Sequence, residues 1–156
     1  MSYLSHLQCS HCERVFDADQ LIRVCPECEL PLLARYDLAK AAAELDRDAL
    51  PCRPASMWRF HELLPVRDPA HIVTLGEGGK PVLKLDRLGE SLGLKHLTIK
   101  DEGQKPTGSF KALGLATAVS RAIELGVTEF VIPTAGNAGG ALAAYAARAG
   151  AKAHVY

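Results

Sequence analysis

Two consecutive strand–loop–helix patterns in the carboxy-terminal part of the chain constrain its fold more than any other feature. An apolar run at residues 97–100, which predicts a buried strand, is followed by a loop and by a helical pattern over residues 110–125. A second apolar run at 127–132 is followed by a tight turn and by an alanine-rich helical pattern over 138–149. Repetition of this unit is typical of an α/β protein with an open parallel sheet covered by helices. It predicts that both loops lie at one edge of the sheet, where such proteins bind ligands.

The position of a lysine at the start of the first of these helices is unusual. Lys111 follows three small residues, Thr107, Gly108 and Ser109, which would let a flat ligand approach the backbone closely. The amino end of a helix carries partial positive charge and therefore disfavours a cation. If the side chain is also partly buried, both effects favour the neutral amine, which is the form that attacks carbonyl groups. From this local pattern alone, the alternative is a solvent-facing lysine.

The same loop does not match a phosphate-binding P-loop. That motif places a lysine and then a serine or threonine directly after its second glycine. Gly103 and Gly108 have the required separation, but Ser109 and Phe110 follow them. A P-loop is therefore excluded here.

Three segments of the chain resemble motifs of a known enzyme family. Residues 106–111, with the sequence PTGSFK, resemble the cofactor-lysine motif of threonine synthase and its pyridoxal-phosphate fold-type II relatives. Residues 135–150 are similar to the asparagine loop and following helix of that family, and residues 74–78 resemble the segment that leads into its catalytic domain. The cysteine-bearing start resembles the zinc-ribbon-like extension of many members. The resemblance implies part of a fold-type II α/β enzyme preceded by a small zinc-ribbon-like element.

The resemblance also implies which residues form the site. Lys111 would hold pyridoxal 5'-phosphate and move protons during the reaction. Asn137 would hydrogen-bond the cofactor ring, with Gly136 and Ala138 beside it, instead of being an ordinary turn residue. The backbone amides of residues 134–138, at a helix start, would receive the substrate carboxylate. The residues expected to contact the substrate are Thr134, Ala135, Lys105 and Ser109, although Ser109 is alternatively a helix cap.

The implied reaction converts O-phosphohomoserine and water to threonine and phosphate, so the enzyme class is a pyridoxal-phosphate-dependent carbon–oxygen lyase. Relatives with this lysine loop also make cysteine, cysteate or diaminopropionate, or deaminate serine and threonine, and these reactions remain alternatives. The chain departs from the family pattern at Lys80, at Gln104–Lys105 and at Leu113. Lys105 is therefore either a partial anion-binding substitute near the substrate phosphate or a solvated loop lysine.

Family members continue well beyond Tyr156, and their later half carries the loop for the cofactor phosphate. The chain also reaches a third strand pattern at residues 151–156 without a helix to cover it. We therefore expect an incomplete chain that is inactive alone, with a homodimer or a complementing carboxy-terminal half as its partner.

Two C-x2-C pairs near the amino terminus predict a metal site. Cys9 and Cys12 form the first pair, and Cys25 and Cys28 form the second. Four thiolates at this spacing suit tetrahedral structural zinc. The alternatives are two disulfides, which a reducing cytosol disfavours, or four reduced thiols without metal. His11, inside the first pair, is predicted to be a surface residue.

The charge balance excludes several partner classes. The charges of the 18 basic and 18 acidic residues cancel, so the net charge does not favour nucleic acid or an anionic membrane as a partner. Residues 1–36 contain three arginines against five acidic residues, which disfavours a nucleic-acid-binding ribbon and favours a structural clip. A non-catalytic zinc-ribbon interaction module is the rival hypothesis. With no signal peptide and no membrane-length apolar run, the predicted location is the cytoplasm.

The predicted organisation has three parts. Residues 1–36 form the zinc-ribbon-like extension, and residues 37–70 form a helical linker region with one helix over 37–50. Residues 71–156 form the amino-terminal part of the catalytic domain.

Overall fold

A computed structural model of the chain describes residues 2–79 and 81–156. Lys80, one of the departures from the family pattern, lies outside these residues. The chain begins with three antiparallel strands, β1 (Leu4–Cys9), β2 (Val15–Asp17) and β3 (Leu32–Tyr36), in the order β2-β1-β3. This small sheet is the body of the predicted ribbon. No helix in the described part of the chain has the length and apolar character that crossing a membrane requires.

The linker helix is shorter than the sequence pattern predicted. Helix α1 spans Leu38–Glu44, and its N-cap Asp37 accepts the Lys40 N–H at 2.9 Å. The helix ends before the predicted boundary because the Asp46 carboxylate accepts the N–H groups of Asp48 and Ala49, which forms a turn instead. Single-turn 3-10 segments follow at Leu50–Cys52 and Pro69–His71, with a longer one at Met57–Leu63.

The prediction that residues 97–100 form a buried strand of a parallel sheet is wrong. Strand β5 (Thr98–Lys100) pairs antiparallel with β4 (Val82–Lys84), and all three of its residues are exposed. The alternating run at 82–85 supplies a nearby partner that satisfies the backbone hydrogen bonds of β5. Helix α2 (Asp86–Leu92) connects the two strands and ends at Gly93, which has the left-handed conformation that glycine favours (φ 68°).

The remaining elements form a parallel strand–helix–strand unit, as predicted. Helix α3 (Lys111–Glu124) precedes β6 (Glu129–Ile132), helix α4 (Asn137–Ala149) and β7 (Lys152–Val155). Strands β6 and β7 pair in parallel, with α4 as the crossover. The α/β class is therefore confirmed, with strands in three small sheets.

The core lies between α3 and α4. Small side chains on α3, Ala112 and Ala116, pack with Val119 against Leu142 and Tyr145 of α4, and all five are buried. Helix α4 also lies close to β7 through Gly139. A Cβ atom on Gly139 would lie 2.5 Å from side-chain atoms of Thr134 and Val155, so this position requires glycine.

A fully buried carboxylate ties three segments of the body together. Glu77 accepts hydrogen bonds from the Trp58 indole N–H and the Tyr145 hydroxyl, both at 2.7 Å, and from the Leu75 N–H at 2.9 Å. Burial, followed by the hydrogen bond and charge of Glu77, raises the pKa of Tyr145. Trp58 is thus a core residue.

Ion pairs fasten the ribbon to the carboxyl end of α3. Asp19 accepts hydrogen bonds from Arg67 Nε at 2.6 Å and from Arg121 Nη2 at 2.5 Å. Glu124 pairs with Arg121 and accepts the N–H groups of Arg67 at 2.9 Å and Asp68 at 2.6 Å. These contacts support the predicted role of the ribbon as a structural clip.

The Glu124 contacts predict that acid weakens the fold. Burial alone would raise the pKa of Glu124, but the hydrogen bonds from the Asp68 N–H, Arg121 and the Arg67 N–H outweigh it and lower the pKa. A lowered pKa adds stability above the ordinary glutamate value of about 4.3, and this stability is lost as the pH falls through the folded-state pKa. We expect the free energy of unfolding of wild type to fall more steeply with acid than that of Glu124→Gln, as measured by urea unfolding at each pH.

The matched control for this experiment is Glu90→Gln on the exposed surface of α2. Its acid dependence should follow that of wild type. A stability difference between wild type and Glu124→Gln that stays constant from about pH 7 to about pH 3 would contradict the prediction.

Candidate active site and metal centre

Lys111 is the first residue of α3, as predicted. The chain reaches it through Gly108, whose φ of 69° is left-handed, and the buried Ser109 accepts the Lys111 N–H at 3.3 Å. The N-cap residue of α3 is Phe110, so the expectation that Ser109 caps the helix is wrong, although its hydroxyl contacts the N–H of the first helical residue. The Lys111 side chain is half-buried, its Nζ lies 4.4 Å from the centre of the Phe110 ring, and within the described residues it has no carboxylate partner.

The Lys111 side chain and the asparagine loop line one depression of about 380 Å³. The loop contributes residues 133–138, which connect β6 to the start of α4. The two loops thus meet as predicted, although β5 and β6 belong to different sheets. The volume falls within the range of small-molecule pockets, about 300–1,000 Å³.

The structure narrows the set of backbone amides available to a ligand in this depression. Thr134 donates its N–H to the Tyr156 carbonyl at 2.8 Å, and Thr134 Oγ1 accepts the N–H groups of Gly136 and Gly139 at 3.0 and 3.1 Å. The amides of Thr134 and Gly136 are therefore occupied, contrary to the expectation that all amides of 134–138 face the substrate. Within the described residues, the N–H groups of Ala135, Asn137 and Ala138 have no acceptor.

The unpaired groups around Lys111 suit a phosphorylated aldehyde cofactor. The Asn137 side chain is exposed and has no hydrogen-bond partner in the described chain, so its amide is available to a ligand. Thr107 Oγ1, in the loop before Lys111, is buried without a partner there. A primary amine suits the aldehyde, and free N–H and O–H groups suit the polar substituents of the ring. The residues present therefore fit pyridoxal phosphate.

Lys105 is not a solvated loop lysine. It is only 5% exposed, and its Nζ donates to the Gly78 carbonyl at 3.1 Å. It lines a second depression with Arg59 and Lys100, whereas the depression at Lys111 is lined by that lysine and residues 133–138. Arg59 could not be identified from the sequence, because the residues on either side of it form no ligand-binding motif.

The four predicted metal ligands form one cluster. The Sγ atoms of Cys9, Cys12, Cys25 and Cys28 all lie within 4.8 Å of one another, and three of their separations are 3.4, 3.6 and 3.9 Å. A tetrahedron with zinc–sulfur bonds of about 2.3 Å has sulfur–sulfur edges of about 3.8 Å. All four cysteines are free, which contradicts the disulfide alternative. His11 is exposed and lies outside the cluster.

The electrostatics of the cluster favour a bound cation. The His11 and Cys12 N–H groups donate to Cys9 Sγ at 3.4 and 3.5 Å, and these bonds, His11 first, lower the pKa of Cys9 to about 6. Hydrogen bonding with Cys9, then burial, raises the pKa of Cys28 to about 12. The Cys28 thiol is therefore hard to ionise beside the other sulfurs, and a cation between the four sulfurs would allow all of them to be thiolates.

Known proteins resemble the chain over nearly its whole length. A threonine synthase of Methanosarcina acetivorans is 40% identical over 146 residues, which cover 93% of this chain and 35% of the relative. A threonine synthase of Methanocaldococcus jannaschii is 41% identical over 145 residues, with coverage of 93% and 36%. A threonine synthase of Halalkalibacterium halodurans is 42% identical over 100 residues, with coverage of 61% and 28%. The chain thus spans about a third of the length of these relatives.

The comparison with protein families agrees with the geometry of the depression. The family described as pyridoxal-phosphate dependent enzymes matches residues 73–156, more than half of the chain. The matched region contains Lys111, the asparagine loop and both helices of the core. The chain therefore belongs to the pyridoxal-phosphate dependent enzyme family.

Proposed function

We propose that the chain is the lysine-bearing part of a threonine-synthase-type enzyme that converts O-phosphohomoserine and water to threonine and phosphate. The observation that carries this proposal is the single depression shared by Lys111 and the asparagine loop. The relatives named threonine synthase support the product, and the proposed reaction belongs to the carbon–oxygen lyases. The four-cysteine cluster would hold a structural zinc ion.

Each group in the depression has a separate role in this proposal. When bound, pyridoxal phosphate would supply a conjugated ring that takes up carbanion charge. Lys111 would hold the cofactor and move protons at the α and β carbons of the substrate. The Asn137 amide would orient the ring, and the free N–H groups of Ala135 and Ala138 would receive the substrate carboxylate.

We propose a second copy of the chain or a complementing carboxy-terminal half as its partner. The chain itself spans about a third of the length of its relatives. The predicted setting is the cytoplasm, where thiols remain reduced.

Chemical trapping tests the role of Lys111. Borohydride reduction after incubation with pyridoxal phosphate should leave a stable label on the peptide that contains Lys111, because reduction fixes the cofactor to the amine that holds it. Peptide mass spectrometry should find at least about tenfold less total label in Lys111→Ala. The control Lys152→Ala changes an exposed lysine on β7 and should keep the wild-type amount.

The same assay tests the substrate. O-phosphohomoserine added before borohydride should reduce the label on Lys111, because its amine competes for the cofactor aldehyde. O-phosphoserine, which is one methylene shorter, should protect less. Label spread over surface lysines and unchanged in Lys111→Ala would refute the role of Lys111, and equal protection by both compounds would refute the substrate assignment.

A further inference from the structure

The depression beside Lys105 gathers positive charge. Its volume is about 320 Å³, and Arg59, Lys100 and Lys105 line it together with Leu113 and residues 55–57, 60 and 78–79. No carboxylate is among its described lining residues. Three cations around one concave surface create a positive potential that attracts anions.

Lys105 is a buried cation without a charged partner. Only one of its three ammonium protons has an acceptor, the Gly78 carbonyl at 3.1 Å, and within the described residues it forms no ion pair. Burial of an ammonium group is costly unless an opposite charge compensates it. The compensating charge is therefore expected to come from a ligand in the depression that Lys105 lines.

Arg59 is a second cation that lines the same depression. Its Nη2 donates to the carbonyls of Leu50 and Arg53, while its Nε is buried and has no partner in the described chain. The neighbouring Arg53 differs, because it forms a two-point ion pair with Glu62 at 2.7 and 2.9 Å. Among the described residues, Arg59 thus has no ion-pair partner and no acceptor for its Nε–H.

The backbone around these cations is fixed before any ligand binds. Gly78 lies against the segment at Ser56, where a Cβ atom on Gly78 would come within 2.4 Å of Ser56 Cα. The Met57 N–H donates to the Glu77 carbonyl at 2.8 Å, which joins the same two segments. The carbonyl that positions Lys105 is therefore held by close packing, so little order has to be gained on binding.

We infer that this depression is a second anion site, separate from the depression at Lys111, and that it binds a phosphate group as inorganic phosphate or as a small phosphate monoester. A phosphate dianion offers oxygen acceptors for the two ammonium protons of Lys105 that no described residue accepts, and the positive charge of Arg59 on the same lining adds to the attraction. Lys100, which is exposed at the margin, adds attraction without burial. The inference is independent of the cofactor site, because the two depressions share no lining residue.

Titration of the 156-residue chain with inorganic phosphate, without pyridoxal phosphate, tests the site. Isothermal calorimetry should show saturable binding that weakens with added salt. Lys105→Met and Lys100→Met should each raise the dissociation constant, by at least about tenfold for Lys105→Met and by a smaller factor for Lys100→Met. Lys100→Met changes only an exposed side chain and so tests the site without risk to the core.

Lys111→Ala and Lys152→Met serve as matched controls and should bind phosphate as wild type does. O-phosphoserine should compete with inorganic phosphate if the site accepts monoesters, and failure to compete would restrict the site to the free ion. Two results would overturn the inference. One is the absence of saturable binding. The other is binding that Lys111→Ala abolishes and that Lys100→Met and Lys105→Met leave unchanged. Because Lys111 is intact in the Lys105 and Lys100 variants, a failed result here leaves the cofactor proposal standing.

Discussion

Glu77→Ala is expected to destabilise the chain by about 3–5 kcal/mol. The substitution removes the acceptor of three donors, the Trp58 indole, the Tyr145 hydroxyl and the Leu75 N–H. Each buried donor left unpaired costs about 1–3 kcal/mol, and the lost side chain also leaves a void. Urea unfolding can follow this directly, because Trp58 is the only tryptophan in the sequence and its fluorescence reports on the same network.

Two further variants separate the hydrogen bonds from the packing. Glu77→Gln keeps the shape and one oxygen acceptor, so it should lose less stability than Glu77→Ala. Tyr145→Phe removes one donor and leaves the carboxylate with two, so we expect a loss of about 1–2 kcal/mol. A loss below about 1 kcal/mol in Glu77→Ala, with unchanged circular dichroism, would show that the network contributes little.

Cys25→Ser is expected to weaken zinc binding by at least about 100-fold and to lower the stability of the ribbon. Cys25 is fully buried, and its Sγ lies 3.6 Å from that of Cys12, so serine would replace a thiolate ligand inside the cluster. Competition with a chromophoric chelator measures the affinity. Cobalt substitution gives a second readout, because tetrahedral thiolate coordination has a distinct visible spectrum.

Cys52→Ser provides the matched control for this experiment. Cys52 is free and exposed and lies outside the four-cysteine cluster, so its removal should change neither affinity nor spectrum. Equal zinc stoichiometry and affinity in Cys25→Ser and wild type would contradict the metal site.

Features with a local cause could be predicted from the sequence. The starts and ends of α3 and α4 follow from apolar periodicity within each segment, and the end of α2 follows from Gly93. The cysteine cluster follows from spacing alone, because each C-x2-C pair directs two sulfurs to one point. The position of Lys111 at a helix start could also be predicted, because it depends only on the local sequence pattern.

Features that depend on distant partners could not be predicted. The pairing of β5 with β4 depends on which strand satisfies its backbone, and the sequence of 97–100 alone does not encode that choice. Lys105 belongs to a polar residue type that is usually exposed, and its burial depends on Gly78, 27 positions away. The burial of Glu77 and its hydrogen bonds were not predicted, because they also depend on distant partners. The available signal was that Trp58 and Tyr145, both in apolar patterns, each needed an acceptor.

Helix α3 connects Lys111 to the contacts that hold the ribbon. Its first residue is Lys111. At its other end Arg121 holds the ribbon through Asp19, while Glu124 accepts the N–H of Arg67 in the linker region. At about 1.5 Å per residue, Lys111 and Arg121 are separated by only about 15 Å along the helix axis. The ribbon therefore braces the helix that carries Lys111, the residue proposed to hold the cofactor, and we expect loosening of the ribbon contacts to shift this amine without any change to the residues around it.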